Sequence, residues 1–256
     1  MAGSGPPIAL VHAGLWDARM WDDQFAVFAH DHTVLRYDLR GFGRSSLPER
    51  PFSNLQDLAD LMNQVGMPSA AVVGCSAGAA LSLDFALEHP QMVDALVLVA
   101  SGLSGDETPD PEDMQRTYQE VEAAVEAGDL ERATDLELTV WAPLGTSDPV
   151  GRRIREIAQD NRHANQHDWT HSRRLDPPAA GRLGEIRVPT LVVVADRDAP
   201  VMQAIGSKLA AGIPGARKEV IVGADHLPNM RKPHEFNRLV LEFLNQTASG
   251  PKLVVG

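Results

Sequence analysis

The sequence holds a single cysteine, Cys75, in 256 residues. That excludes an intrachain disulfide framework and fits a reducing compartment. No stretch approaches the eighteen or so continuous apolar residues that a membrane span needs. The amino terminus, MAGSGPPIALVHAG, has neither a basic region nor a long apolar core, so no secretory leader is expected. Basic residues are scarce: 23 Lys and Arg face 35 Asp and Glu, a formal charge of −12. Attraction to phosphate backbones or anionic lipid is therefore disfavoured. No dinucleotide fingerprint or phosphate loop is present. These absences predict a cytoplasmic protein without nucleic-acid or membrane partners. They leave the chemistry open.

What is present is a rhythm. With 43% hydrophobic residues the chain can build one large domain or two small ones. Short apolar, β-branched runs recur at Ile8–Val11, Thr33–Tyr37, Ala70–Val73, Ala95–Val99, Thr190–Val194 and Glu219–Val222. Several are continuously apolar, as strands covered on both faces are. Helix-like segments alternate with them near Met20–Ala29, Leu55–Val65, Ala77–Glu88, Val201–Ala211 and Pro233–Gln246. This alternation predicts an α/β fold with a doubly wound, mostly parallel sheet, whose ligands gather at the carboxyl ends of the strands.

Between Gly102 and Val188 the rhythm stops, and three helix starts replace it. Asp110-Pro111 reads as cap and first turn, with Gly128 as the stop; Asp129 caps a second helix ended by Pro143. Asp148-Pro149 opens a third, of roughly twenty residues. Residues 1–102 and 187–256 are thus expected to form the core, and 103–186 a helical lid.

The stretch VVGCSAGAAL (72–81) contains G-x-S-x-G, Gly74 to Gly78, between a strand and a helix. In that context the motif reads as a strained turn presenting Ser76 above the sheet. A serine hydroxyl needs a base. His226 follows the last strand and Asp198 the strand before it, so the chain order is Ser76, Asp198, His226. Asp196 competes for the acid role, but Asp198 lies farther past the strand end, where it can turn toward the histidine. An acyl-transfer intermediate also needs two N–H donors. Ala77, following the serine, supplies one, and Gly14, in the loop after the first strand, is the candidate for the other.

Together these segments resemble the α/β-hydrolase superfamily over most of 7–246 outside the lid. The resemblance rests on H-A-G with Trp21 downstream, Y-D-L-R-G-F-G-R-S (Tyr37 to Ser45), G-C-S-A-G, A-D-R-D (Ala195 to Asp198) and G-A-D-H (Gly223 to His226). R-M-W-D-D-Q with G-C-S looks most like the enol-lactonase and small-esterase branch. The resemblance implies structural roles for Asp38 and Arg40, and a serine at position 76 argues against the chemistry of those relatives, haloalkane dehalogenases and epoxide hydrolases, that carry aspartate there. Ala13 stands where the family usually carries glycine, beside the oxyanion loop, and Ala195 replaces the glycine common before the acid. The family's first two strands have no counterpart, so Thr33–Tyr37 would become a sheet edge. Either a dimer contact or the segment Lys252–Val255 is expected to cover it.

Cys75 reads as an inert buried thiol. His163, His167 and His171 would share one face if the third lid helix continued, yet no H-E-x-x-H is present and the segment is polar, so no metal is expected. Trp141, Trp169 and Met114 are candidates to line an acyl pocket. The sequence thus predicts a cofactor-free serine hydrolase acting on a small ester or lactone. Perhydrolase or carbon–carbon hydrolase chemistry on the same residues, a triad-bearing ligand receptor, and a non-catalytic structural protein are the alternatives.

Overall fold

In the computed structural model, which describes residues 1–249, six strands form one sheet. They are β1 (Pro7–Val11), β2 (Thr33–Arg36), β3 (Ala70–Cys75), β4 (Val93–Val99), β5 (Thr190–Ala195) and β6 (Arg217–Ile221). Their spatial order is β2-β1-β3-β4-β5-β6, and every pairing is parallel. The helices of the core are α1 (Asp22–Phe28), α2 (Asn54–Gln64), α3 (Ala77–Glu88), α7 (Pro200–Gly212), α8 (Pro228–Arg231) and α9 (Pro233–Ser249).

Two apolar layers explain why the central strands are apolar along nearly their whole length. Ile8, Leu10, Val73, Val97 and Val193 point into one layer with Phe28 of α1 and Phe236 and Val240 of α9. Their neighbours Ala9, Val11, Val72, Leu96 and Val192 point into the other, with Leu58 of α2, Leu83 of α3 and Leu209 of α7. A strand covered on both sides has no reason to alternate. At the far edge β6 carries Arg217, Lys218 and Glu219, charges that discourage pairing with a further strand.

The other edge is β2, and at Val34 it is covered by the amino-terminal segment. Ala2 pairs antiparallel with Val34, its amide donating to the Val34 carbonyl (3.0 Å) and accepting the Val34 amide at its own carbonyl (2.8 Å). The chain's own first residues therefore satisfy the outward groups of Val34, a use of the amino terminus that its Gly-rich composition did not suggest. Lys252–Val255 lies outside the described residues.

Between β4 and β5 stand α4 (Glu112–Glu126), α5 (Leu130–Trp141) and α6 (Pro149–Asp160). Asp129 caps α5 by accepting the Arg132 amide, and Asp148 caps α6 by accepting that of Gly151 at 2.6 Å. Two expectations are corrected. The first helix starts one residue late, with Pro111 and not Asp110 at the cap position. The third ends at Asp160 and gives way to a 3₁₀ turn, Arg162–Gln166, because Asn161 turns back: its amide nitrogen donates to the Ile157 carbonyl and to Asp17. His163, His167 and His171 consequently do not form a single helical face. The α6 region is tied to the core by Trp16, whose indole donates to the Ile154 carbonyl at 3.0 Å, and by Arg153, which reaches Asp23.

Glu137 on α5 is half-buried and accepts a hydrogen bond from Asn165 (2.9 Å). Burial pushes its carboxyl up to about 7, and the Asn165 bond opposes the shift. A folded pKa above the unfolded value means stability present at low pH that is lost as pH rises through 7. Glu137→Gln, which mimics the protonated form, should therefore gain in melting temperature over wild type between pH 5 and pH 8. Parallel thermal melts at the two pH values measure the difference.

The close crossing of α3 over β1 depends on Gly78, where a Cβ would fall 2.3 Å from the His12 carbonyl oxygen and 2.5 Å from that of Val11. Both obstacles are backbone and cannot rotate away. Gly78→Ala should cost about 2–3 kcal/mol, despite alanine's better helix propensity, read as a lowered urea midpoint.

Candidate active site

The turn at Ser76 is built from what its neighbours lack. A Cβ on Gly74 would lie 2.3 Å from the Gly78 carbonyl oxygen and 2.4 Å from Ser82 Oγ, so strand and helix meet only because both glycines are bare. Ser76 itself sits at φ 54°, ψ −118°, a region that side-chain-bearing residues rarely adopt. Hydrogen bonds hold it there. Its amide donates to the Val99 carbonyl at 2.8 Å, while its carbonyl accepts the amides of Ala79 and Ala80, each at 3.0 Å.

Asp198 and His226 come from the loops after β5 and β6. His226 Nδ1 lies 3.0 and 3.1 Å from the two Asp198 carboxylate oxygens, and both side chains are almost fully buried. A carboxylate only accepts, so the imidazole proton of that bond is on Nδ1, which leaves Nε2 as the free lone pair of the neutral ring. Asp198 is in turn held by the Ala199 amide (2.8 Å). The competing acid, Asp196, turns elsewhere and accepts the Gly223 amide at 2.6 Å.

The histidine loop packs directly behind the elbow, with Cys75 Sγ 3.8 Å from the His226 carbonyl oxygen. Burial, with the Asp198 charge second, pushes the Cys75 thiol far up, so it remains protonated and apolar in character. The hydrogen bond between such a hydroxyl and imidazole commonly tightens when substrate binds.

Gly14 and Ala77 also lie together: a Cβ built on Gly14 would contact that of Ala77 at 3.9 Å. Ala77 opens α3, so its N–H has no partner within the helix. The loop that carries Gly14 is fixed by His12, which donates from Nδ1 to the Ala13 carbonyl (2.8 Å) and accepts the Leu39 amide at Nε2 (2.8 Å). Burial lowers the pKa of His12, consistent with this neutral tautomer. Ala13 is itself buried, its amide 3.2 Å from Met20 Sδ. Asp38 braces the same region by accepting the amides of Ala18 and Arg44 (both 3.0 Å), and Arg40 makes a forked pair with Asp57.

The three pocket candidates fall in different places. Trp141, at the end of α5, lies against His226 with ring centroids 4.4 Å apart. Met114 of α4 lines a cavity of about 370 Å³ together with Pro143, Asp198, Ala199 and Pro200. Trp169 stacks on Phe42 (5.5 Å), whose edge meets His12 (5.4 Å), so it reaches the site only through these rings. Larger cavities lie elsewhere, one of about 650 Å³ beside α2, bounded mostly by charged and polar side chains. Among the described residues no three His, Cys, Asp or Glu side chains gather as a metal site; His163 and His167 meet edge to face, and His167 Nε2 lies 3.1 Å from the Gly41 carbonyl.

Sequence reasoning missed Asp225 and Arg231, which flank His226. Asp225 is fully buried and Arg231 nearly so, and they form an ion pair at 2.8 Å. In the sequence they are two charges on a loop, with no spacing that separates them from solvated ones. Phe42 was likewise hidden within the Y-D-L-R-G-F-G-R-S segment.

Known proteins resemble this chain along nearly its whole length. A putative carbamate hydrolase of Azorhizobium caulinodans is 28% identical over 95% of this chain and 93% of its own. A 2-hydroxy-6-oxo-6-phenylhexa-2,4-dienoate hydrolase of Comamonas testosteroni is 26% identical over 96% and 90%. The structure of an enol-lactonase from Burkholderia xenovorans superimposes with a TM-score of 0.77 at 25% identity, covering 95% of this chain and 92% of that one. The family model for the alpha/beta hydrolase fold matches residues 6–233. The chain belongs to the α/β-hydrolase family and is a hydrolase.

Proposed function

We propose that the protein is a serine hydrolase that cleaves a small carboxylic ester or lactone through an acyl-enzyme. The observation that carries the reading is the strained Ser76, at φ 54°, standing at the amino end of α3 beside a loop whose imidazole is already oriented by Asp198. Residues 103–186 act as the lid, with Trp141 and Met114 bounding the pocket.

In this reading Ser76 Oγ attacks the carbonyl carbon as His226 Nε2 takes its proton. Asp198 holds the ring in the Nδ1–H form and stabilises the imidazolium. The amides of Gly14 and Ala77 receive the negative oxygen of the tetrahedral intermediate, and one such donor is worth about 3 kcal/mol. As the intermediate collapses, the C–O bond to the leaving group breaks and His226 returns the proton to the departing alkoxide. Water, deprotonated by the same imidazole, then attacks the acyl carbon, and Ser76 leaves with a proton.

One observation favours a second reading on the same residues. The Comamonas relative, matched over 96% of this chain, is named for a substrate without an ester bond, so its hydrolysis breaks a carbon–carbon bond. A panel of short p-nitrophenyl esters, small lactones and one 6-oxo-dienoate separates the two by relative kcat/KM.

Ser76→Ala should lower p-nitrophenyl butyrate turnover at least ~10³-fold and abolish labelling by a fluorophosphonate. Retained turnover would refute the assignment, and absence of turnover in wild type would favour a ligand receptor. Asp198→Asn should reduce kcat by about 10⁴-fold, whereas Asp196→Asn should stay within a few-fold of wild type in the same steady-state assay.

A further inference from the structure

Asp225 and Arg231 bracket the imidazole in sequence, one on its loop and the other at the end of α8. Arg231 approaches Asp225 with Nε 3.0 Å from Oδ2 and Nη2 2.8 Å from the same oxygen, while the side chains are 5% and 0% exposed. Two charges withdrawn from water need every remaining donor and acceptor occupied. Here those remaining groups reach across to the lid. Arg231 Nη2 also donates to the Gly145 carbonyl at 2.8 Å, and Nη1 lies 3.7 Å from Asp148 Oδ2. Asp225 Oδ2 accepts the Leu144 amide at 3.4 Å. Residues 144, 145 and 148 all belong to the turn between α5 and α6, and Asp148 is the cap of α6. Three groups of one lid turn are thus gripped by two side chains of the histidine segment. Three residues before that turn, Trp141 ends α5 with its indole against the His226 ring.

We infer that Arg231 is a positioning residue: with Asp225 it clamps the α5–α6 turn to the histidine loop and so fixes Trp141 as the roof over the imidazole. This rests on the hydrolase and lid readings above. Asp225 is not a spare triad acid, because its oxygens are engaged with Arg231 and the turn while His226 Nδ1 faces Asp198. The clamp acts on substrate selection. An acyl chain long enough to run beneath Trp141 depends on the roof being held, and an acetyl group does not.

Removing one partner leaves a bare buried charge and endangers folding, so the main variant is Asp225→Asn with Arg231→Met, which removes both. Arg231→Lys accompanies it, since lysine keeps the charge and loses the forked contact. Hydrogen exchange followed by mass spectrometry should speed up at least tenfold over 141–148 in the double variant, with β3 unchanged. Steady-state assays should give at least a fivefold higher KM for p-nitrophenyl hexanoate while kcat for the acetate stays within twofold, and Arg231→Lys should fall between. A general loosening would instead depress both esters alike. Unchanged exchange at 141–148, or equal losses on the two esters, overturns the clamp. If the double variant does not fold, Arg231→Lys decides by the same two readouts. If wild-type protein hydrolyses neither ester, the hydrolase reading fails and the exchange experiment alone decides whether the clamp exists.

Discussion

The whole site depends on one steric condition, the approach of α3 to the sheet at a separation that excludes Cβ atoms at Gly74 and Gly78. That approach forces the chain to reverse within a single residue, and Ser76 takes a backbone conformation that costs of order 1–3 kcal/mol. The strain persists because the surroundings over-determine it. Val99 holds the serine amide, and the first turn of α3 holds its carbonyl. The same geometry leaves the Ala77 amide without an internal partner and turns the positive end of a twelve-residue helix toward the hydroxyl. In the proposed reading, nucleophile and oxyanion donor are thus two outcomes of one packing constraint.

The imidazole is held differently, by polar satisfaction. Its Nδ1 finds the Asp198 carboxylate, while Asp225 and Arg231 join the segment that carries it to the α5–α6 turn. A buried ion pair of this type contributes little net stability, while breaking it by losing one partner typically costs 3–5 kcal/mol. Its value is therefore conformational, because it specifies where the α5–α6 turn rests. Glu137 adds a second polar tie, between α5 and the 3₁₀ turn that carries Asn165.

Much of this was legible in the sequence because it rests on short-range chemistry. Continuous apolar runs marked the strands, and Asp129 and Asp148 announced their helices by the capping they perform. Ser76, Asp198 and His226 could be singled out because strand ends and glycine spacing confine where such residues can stand. What escaped depends on contacts distant in sequence. The end of α6 at Asp160 is set by Asn161 reaching Asp17, 144 positions away, which helix periodicity cannot encode. The Asp225 and Arg231 charges read as solvent-facing until the lid turn is seen lying across them. Helix α4 begins after Pro111, not at it, a shift within the ordinary uncertainty of helix ends.

The antiparallel bridge between Ala2 and Val34 ties the outermost strand to the first residues of the same chain. A sheet border with vacant amides invites a foreign strand, and here the opening at Val34 is closed intramolecularly by one residue, Ala2. Proteolytic trimming past Ala2 would uncover those groups without touching the loops that carry Ser76, Asp198 and His226. Association through β2 would then arise in a molecule whose site is still intact.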